Sequence, residues 1–288
     1  MQIITTGNNI KIEQRYIDLF CEYLHKKMGI HIEENKKGLF AQKLAKLFSE
    51  SGVESMGEYY HYIVAPPISE TQKNLQNQFT DTITVHKTNF FRENNHFEHI
   101  KRNIAQIISE SSTVKMTREL RVWSSACSTG EEAYTLSMLF KEILPPDIKA
   151  KILATDISPK SIRTALTGEY KFGPEDNIPP YYITKYFNKI GDSWTISNEI
   201  KNSVTFRLFN LVDPFPFKNP FDIIFCRNVM IYFSKEVQEK LIQDFHNVLT
   251  PNGILFIGHS ESLIQIQHKF HYYEPTIYKK SKPVIIHK

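Results

Sequence analysis

RVWSSACSTGEEAYTLSMLFKEIL, residues 121–144, is the stretch that decides the fold. It begins as a β-branched and aromatic run, passes through a loop of small residues, and continues as an amphipathic helix that starts at two glutamates. Four further apolar runs follow, and helical stretches lie between most of them. The runs are KILATDIS, VTFRLFNL, FDIIFCRN and GILFIGHS. Strands that alternate with helices predict an α/β domain whose largely parallel sheet has helices on both faces. The last apolar stretch, FHYYEPTIYKK around Pro275, predicts an antiparallel hairpin at the sheet edge.

The N-terminal part of the chain has a helical pattern instead. Apolar residues recur at helical spacing in three stretches that end near Gly29, Gly52 and Pro66, and a fourth helical stretch follows over 69–84. No strand pattern interrupts them. We therefore predict a small all-α domain, a linker helix with a connecting segment, and an α/β domain, at 1–72, 73–92 and 93–288.

An irregular stretch over 170–203 separates the second βα unit from the third strand. A structureless loop of that length is improbable inside a compact domain, and WTISNEI resembles a short strand. We expect an inserted small β-subdomain here.

Composition limits the possible functions. The 288 residues are 41% hydrophobic and 23% charged, as in ordinary globular proteins, and a net charge of +4 is too small to indicate nucleic-acid binding. Cys21, Cys127 and Cys226 lack the spacing of a disulfide framework or a metal site. There is no apolar signal segment and no membrane-spanning run. We expect a cytoplasmic monomer without a metal ion, nucleic-acid partner or membrane insertion.

Polar residues after the first two strands indicate the ligand, because ligands of open parallel sheets bind at the carboxyl ends of the strands. Small residues and then Glu131 and Glu132 follow the first strand, without a glycine fingerprint or a phosphate loop. Their negative charge disfavours a pyrophosphate and favours an ammonium group, although simple helix capping is the alternative. Asp156 ends the second strand and can accept from two ribose hydroxyls, unless it is a plain turn residue.

Residues after the next two strands could bind a nucleobase and make further polar contacts with a ligand. Asn210 and Leu211 follow the third strand, where an amide and an apolar group can bind adenine. Arg227 and Asn228 emerge from a buried run, which is costly unless they have partners, and a satisfied turn is the alternative for each. An ammonium group, a ribose and an adenine without phosphate together describe S-adenosylmethionine.

Several motifs resemble the chemotaxis receptor methyltransferases, the CheR family, over essentially the whole chain. The motifs are TNFFRE, RVWSSACSTGEEAYTLSM, ATDIS, FNL, FDIIFCRNVMIYF and GILFIGHSESL. The resemblance implies a helical N-terminal domain and a Rossmann-like methyltransferase domain with a small inserted β-subdomain. It also implies methyl transfer from S-adenosylmethionine to glutamates on the cytoplasmic helices of chemoreceptors, with S-adenosylhomocysteine as the other product.

The resemblance also implies a role for individual residues. Thr88 and Arg92 would reach the cofactor, while Glu132 would bind its amino group and Asp156 its ribose. Asn210 and Leu211 would contact the adenine. Arg227 and Asn228 would lie beside the cofactor, and Tyr232 would lie in the catalytic cleft. The family usually has asparagine two residues before this threonine, where His86 stands here. Both side chains can form hydrogen bonds, so the contact can persist.

Phe90 and Phe91 are expected to anchor the connecting segment so that Arg92 faces the active site. Arg92 can then pair with the cofactor carboxylate or with an incoming glutamate, and the sequence does not choose between them. The plainer alternative is a helix that begins after Thr88 or Asn89.

The implied reaction needs little acid–base chemistry. A glutamate carboxylate, with a reference pKa of about 4.3, is already a nucleophile at pH 7, so catalysis consists mainly of positioning. Arg92, Arg227 and Tyr232 are the candidates for orienting it. Cys127 and Cys226 are expected to be packing residues.

The second helical stretch has a basic face, which consists of Lys36, Lys37, Lys43 and Lys46. It is either a solvated surface or a docking site for a glutamate-rich receptor. Three rival functions remain. They are a cofactor-binding sensor without catalysis, a methyltransferase for another carboxylate, and a nicotinamide dehydrogenase. The dehydrogenase is the least supported, because the glycine fingerprint is absent.

Overall fold

The computed structural model describes residues 3–5, 11–172, 176 and 178–281. It divides into two compact units. The N-terminal unit comprises Met1–Val85 with two short segments, Ser158–Lys160 and Tyr232–Val237, and the sheet unit comprises the rest of the chain. Among the described residues, no helix combines the length and apolar character that a membrane span requires.

The N-terminal unit consists of a short pair of strands followed along the chain by four helices. Its elements are β1 (Ile3–Thr5), β2 (Lys11–Glu13), α1 (Gln14–Met28), α2 (Lys37–Ser51), α3 (Met56–Val64) and α4 (Glu70–Ile83). The antiparallel β1–β2 pair corrects our expectation that no strand occurs here. Gly29 and Gly52 end α1 and α2 with φ of 71°, as predicted, because glycine adopts this left-handed conformation readily.

The apolar faces of these helices form one core. The Phe20 ring lies 5.4 Å from that of Phe79 and 6.0 Å from that of Tyr59, measured between centroids, and all three side chains are buried. Because α4 packs against α2 and α3, the compact unit extends to Val85, past residue 72, where the sequence analysis ended the helical domain.

The sheet unit has a seven-stranded sheet in the order β11-β12-β10-β9-β3-β4-β8. Its strands are β3 (Glu119–Ser124), β4 (Lys149–Asp156), β8 (Val204–Leu208), β9 (Phe221–Cys226), β10 (Leu249–Ile257), β11 (Phe270–Glu274) and β12 (Ile277–Lys280). Strands β10, β9, β3, β4 and β8 are parallel, and β11–β12 is the predicted antiparallel hairpin at the edge. The strand order reverses beside β3, which is where ligands of such sheets bind.

The remaining helices of the described residues lie before, between and beside these strands. They are α5 (Asn95–Glu110), α6 (Ser112–Thr117), α7 (Glu131–Ile143), α8 (Pro159–Thr167), α9 (Pro180–Tyr186), α10 (Asn198–Lys201) and α11 (Lys235–Val248). The alternative of a helix beginning after Thr88 or Asn89 is wrong, because the chain turns through 90–94 and α5 begins only at Asn95.

The predicted β-subdomain is present between α8 and β8. It is a three-stranded antiparallel sheet in the order β5-β7-β6, with β5 at Glu169–Tyr170, β6 at Phe187–Ile190 and β7 at Ser193–Ile196. The Phe90 ring packs against Tyr170 and Phe187 at centroid distances of 4.9 Å and 5.3 Å. Phe90 therefore anchors the connecting segment to this subdomain, and buried Phe91 packs against Phe97 and Tyr182.

Candidate active site

The loop between β3 and α7, residues 125–130, lies at the reversal of strand order. The Ser125 N–H donates to the Phe225 carbonyl at 2.8 Å, and the Cys127 N–H donates to the Thr155 carbonyl at 2.9 Å. Gly130 has φ of 100°, and a Cβ added there would lie 2.8 Å from Cβ of Ala165. Only glycine fits, so the end of the loop can lie close against α8 where α7 begins.

Asp156 ends β4 directly beside this loop. Its side chain is buried, and Oδ2 accepts from the backbone N–H of Ser128 at 2.8 Å. The Ser128 hydroxyl in turn donates to the His86 carbonyl at 3.1 Å. The structure therefore brings together the loop, Asp156 and the start of the connecting segment.

Glu132 occupies the first turn of α7 and is also buried. Its Oε1 accepts from the Ser124 hydroxyl at 2.6 Å, and its Oε2 accepts from Nε of Arg227 at 2.7 Å. Glu131 beside it accepts from the Thr129 hydroxyl, and burial raises the pKa of the Glu131 carboxyl although this hydrogen bond opposes the effect. The two glutamates thus have separate partners.

Arg227 is the centre of a buried hydrogen-bond network. Besides Glu132, its Nη1 donates to Glu93 at 3.3 Å and to Nδ1 of His96 at 2.9 Å, and its Nη2 donates to the Arg92 carbonyl at 2.8 Å. Every side-chain nitrogen is engaged within the protein. A guanidinium has five N–H groups, so one N–H on Nη2 remains for a further contact. Arg227 chiefly holds other groups in place.

Glu93 is a site residue that the sequence analysis missed. Its Oε1 accepts from Nδ2 of Asn228 at 3.1 Å and from the His259 N–H at 3.2 Å, while Oε2 accepts from Arg227. Glu93 has φ of 57°, a left-handed conformation that costs a residue other than glycine. Its position in TNFFRE was the only sequence signal, because its partners are distant in the chain.

His96, also missed, has a fixed tautomer. Arg227 can only donate, so Nδ1 of His96 accepts, and Nε2 carries the proton and donates to the Thr276 hydroxyl at 2.7 Å. Burial, and then the positive charge of Arg227, lower the pKa of His96 to about 3. Ligand atoms of Glu93, His96 and His259 lie within 4.8 Å of one another, as in metal sites, but here Arg227 supplies the cation to the first two.

The connecting segment contacts the helices around this region through His86 and Phe91. The Nδ1 atom of His86 lies 3.1 Å from the Ser161 hydroxyl, and the Phe91 N–H donates to the Thr135 hydroxyl at 3.2 Å. Arg92 is half-buried, with Nη1 donating to the Lys87 carbonyl at 2.8 Å, and Thr88 is half-buried. Arg92 thus differs from Arg227, because among the described residues its side chain makes one hydrogen bond.

Asn210, Leu211 and Asn228 follow their strands as predicted. The Asn210 side chain accepts from the Val212 N–H at 3.3 Å, and Leu211 is buried. Asn228 is half-buried and has φ of 59°. Tyr232 lies in a 3-10 turn and is grouped with the N-terminal unit, where its carbonyl accepts from the His31 N–H at 2.8 Å. Its place in the catalytic cleft stays a prediction.

The four lysines are not a uniform basic face. Lys36 pairs with Glu33 at 3.0 Å, Lys37 with both Asp18 and Glu34, and Lys46 lies 3.9 Å from Glu50; Lys43 donates to the Thr82 carbonyl. Only Lys36 and Lys46 are exposed. These acidic partners reduce the positive potential that the sequence suggested.

The donor set fits S-adenosylmethionine. Two buried carboxylates, Glu132 and Asp156, can accept from an ammonium group and from ribose hydroxyls, while Asn210 and Leu211 offer a polar edge and an apolar surface for adenine. Acidic residues also dominate the first turn of α7, where a pyrophosphate would otherwise bind. Fold and site define a Rossmann-like, S-adenosylmethionine-dependent methyltransferase with a small all-α domain before it.

Two family models match the chain. The model of the CheR methyltransferase SAM binding domain matches residues 86–279, and that of the CheR methyltransferase all-alpha domain matches residues 16–84. The chain belongs to the CheR methyltransferase family.

Several chemotaxis methyltransferases are similar to it over most of their length. A chemotaxis protein methyltransferase of Borreliella burgdorferi is 35% identical, with 95% of this chain and 96% of the relative covered. Chemotaxis protein methyltransferase Cher2 of Pseudomonas putida is 35% identical, with coverage of 90% and 92%. The Escherichia coli chemotaxis protein methyltransferase is 29% identical, with coverage of 97% and 96%. The chain is therefore an S-adenosylmethionine-dependent methyltransferase of chemotaxis, as the sequence analysis predicted.

Proposed function

We propose that this protein transfers a methyl group from S-adenosylmethionine to glutamate side chains on the cytoplasmic helices of chemoreceptors. The products are glutamate 5-O-methyl esters and S-adenosylhomocysteine. The observation that carries the proposal is the family match across both units, the helical one included. A methyltransferase for a small carboxylate would not need the helical domain of receptor-directed enzymes.

The cofactor contacts that we propose come from the connecting segment and the strand ends. They are His86, Thr88, Arg92, Glu132, Asp156, Asn210, Leu211, Arg227 and Asn228. Glu132 and Asp156 support this assignment because both are buried carboxylates, one in the first turn of α7 and the other at the end of β4. S-adenosylmethionine supplies an electrophilic methyl group on a sulfonium when bound, so the protein needs to supply position and not acid–base chemistry.

The substrate glutamate is the nucleophile in this proposal. A glutamate carboxylate is ionised at pH 7, so no residue has to remove a proton from it. Arg92 is our first candidate for orienting it, because within the described part of the chain its guanidinium makes one hydrogen bond and has further N–H groups. Tyr232 is the second candidate. Arg227 contributes mainly by holding Glu132 and the Arg92 backbone.

Covalent catalysis by cysteine does not fit this site. Cys127 and Cys226 are fully buried, and burial raises the pKa of each thiol well above its ordinary value. A protonated, enclosed thiol is a poor nucleophile, which agrees with the packing role that the sequence indicated.

The decisive experiment is transfer of labelled methyl from S-adenosylmethionine to membranes that contain the chemoreceptors of the source organism. We expect base-labile label on the receptor, as for a glutamate methyl ester, and a loss of about a hundredfold with Arg92→Ala. Arg163→Ala, an exposed arginine on α8, is the matched control and should transfer normally.

Each other outcome selects a rival function. Tight binding of S-adenosylhomocysteine without transfer to any receptor would indicate a cofactor-binding sensor. Label on a different carboxylate, or label that resists base, would indicate another substrate. NAD binding in place of S-adenosylhomocysteine would contradict the cofactor assignment itself.

A further inference from the structure

Glu261 is a buried carboxylate that the proposed reaction does not use. It lies four residues beyond the end of β10 and is 7% exposed. Its partners are backbone N–H groups of two loops, and no ion pair with a lysine, arginine or histidine is recorded for it among the described residues. A buried carboxylate without a cationic partner is costly unless hydrogen bonds satisfy it, so its position indicates a specific role.

Four N–H groups converge on the Glu261 carboxylate. The Gly258 and Asn228 N–H groups donate to Oε2 at 2.6 Å and 3.0 Å, and the Val229 and Met230 N–H groups donate to Oε1 at 2.9 Å and 2.8 Å. Burial raises the pKa of the Glu261 carboxyl, and these four donors act in the opposite direction. Three of the four belong to residues 228–230, the turn that directly follows β9.

The conformation of that turn is unusual. Asn228 has φ of 59°, a left-handed conformation that asparagine adopts more readily than most residues other than glycine but that is still uncommon and is held by its surroundings. Glu261 supplies that support to the Asn228 backbone, while Glu93 accepts from the Asn228 side chain at 3.1 Å. Two carboxylates from distant parts of the chain therefore hold one residue.

Gly258 shows how tightly the two loops fit together. A Cβ added at Gly258 would lie 2.5 Å from Nδ2 and 2.8 Å from the backbone nitrogen of Asn228. A methyl group there would have to push Asn228 away. Gly258 and Glu261, both in the loop after β10, thus fix the position of Asn228. Gly258 allows its close approach, and Glu261 accepts a hydrogen bond from its backbone.

We propose that Glu261 is a positioning residue for cofactor binding: its carboxylate holds residues 228–230 in the conformation that presents Asn228 to S-adenosylmethionine. The inference rests on the proposed site, in which Asn228 is a cofactor contact. Glu261 itself acts only through the turn.

Glu261→Gln in the full chain tests this. Glutamine keeps the shape but replaces one acceptor oxygen with an NH₂ group, which then faces N–H donors. We expect affinity for S-adenosylhomocysteine, measured by calorimetry, to fall about tenfold, and KM for S-adenosylmethionine to rise equally. The rate at saturating cofactor should change less than about twofold, because no transition-state contact is lost. Glu261→Asp, which keeps both oxygens, should recover part of the affinity.

Two further variants distinguish positioning from general support of the fold. Gly258→Ala should weaken S-adenosylhomocysteine binding as Glu261→Gln does, whereas Glu169→Gln, on an exposed glutamate of β5, should not. Glu261→Gln should add little to Asn228→Ala, because residues that act through one another are not additive. A purely structural role would instead lower the active fraction and the rate while KM stays unchanged.

The outcomes separate this inference from the proposed function. Unchanged S-adenosylhomocysteine affinity in Glu261→Gln, with weakened binding in Asn228→Ala, overturns the role of Glu261 and leaves the proposed function intact. Weakened binding in Glu261→Gln, with no receptor methylation by the unaltered protein, supports Glu261 and contradicts the receptor substrate.

Discussion

Two regions of the sheet unit each contribute an arginine, and the two arginines differ in almost every physical respect. Arg227, after β9, is buried and donates from all three side-chain nitrogens to protein acceptors. Arg92, in the connecting segment, is half-buried, and its side chain makes one hydrogen bond to the residues that the structure describes, to the Lys87 carbonyl. The backbone carbonyl of Arg92 is nevertheless one of the groups that Arg227 holds. Arg227 therefore holds the surrounding groups in place, whereas the role that we propose for Arg92 toward the substrate stays a prediction.

The largest expected effect is on stability, from Arg227→Ala. It leaves the buried Glu132 and the half-buried Glu93 without their cation, a loss that typically costs about 3–5 kcal/mol. Urea unfolding followed by tryptophan fluorescence measures it, because Trp123 and Trp194 both lie in the sheet unit. Arg227→Lys should not rescue, since an ammonium cannot reproduce the planar set of bonds. A loss below about 1 kcal/mol would refute the distinction between the two arginines.

Arg92→Ala should have the converse result. Its single neutral hydrogen-bond acceptor limits the loss of unfolding free energy to about 1 kcal/mol, while methyl transfer falls about a hundredfold. The same urea titration, run beside the transfer assay, checks both halves. A stability loss as large as that of Arg227→Ala would mean that Arg92 also belongs to the framework.

The pH dependence of stability tests the framework through His96. Its pKa is about 3 in the folded chain and about 6.5 when unfolded, so between these values only the unfolded chain binds the proton. Unfolding free energy should therefore fall as pH falls below about 6.5, by at most about 1.4 kcal/mol per pH unit from this group. His96→Asn, whose amide oxygen can still accept from Arg227, should remove that part of the slope. An unchanged slope would show that His96 is not buried in its neutral form.

The smallest expected effect concerns the lysines. Lys36→Glu with Lys46→Glu should reduce receptor methylation about threefold at low salt and leave affinity for S-adenosylhomocysteine unchanged, because surface charges mainly alter association rates. Nearby Glu33 and Glu50 already offset these lysines, which limits the effect. The control is Lys149→Glu with Lys218→Glu, two exposed lysines of the sheet unit. Equal losses of receptor methylation in the two double variants would indicate an effect of overall charge. Loss of affinity for S-adenosylhomocysteine would indicate misfolding.

The pattern of apolar runs predicted the parallel sheet, the edge hairpin and the β-subdomain, since each reflects local periodicity and turn residues. The β1–β2 pair escaped notice because two strands of three residues carry no periodic signal. Residues at the ends of β3, β4, β8 and β9 could be read as a site because strand ends of a parallel sheet meet at one edge. Their roles toward the cofactor stay predictions.

The sequence by itself determined the alternation of strands and helices, the acidic turns after β3 and β4, and the motifs that resemble one enzyme family. Only the tertiary structure decided that Arg227 is enclosed by Glu132, Glu93 and His96, and that Glu261 holds the turn at Asn228. The reason is physical. Hydrogen bonds between residues 33 to 135 positions apart depend on how the strands are ordered, and local spacing carries no record of that order.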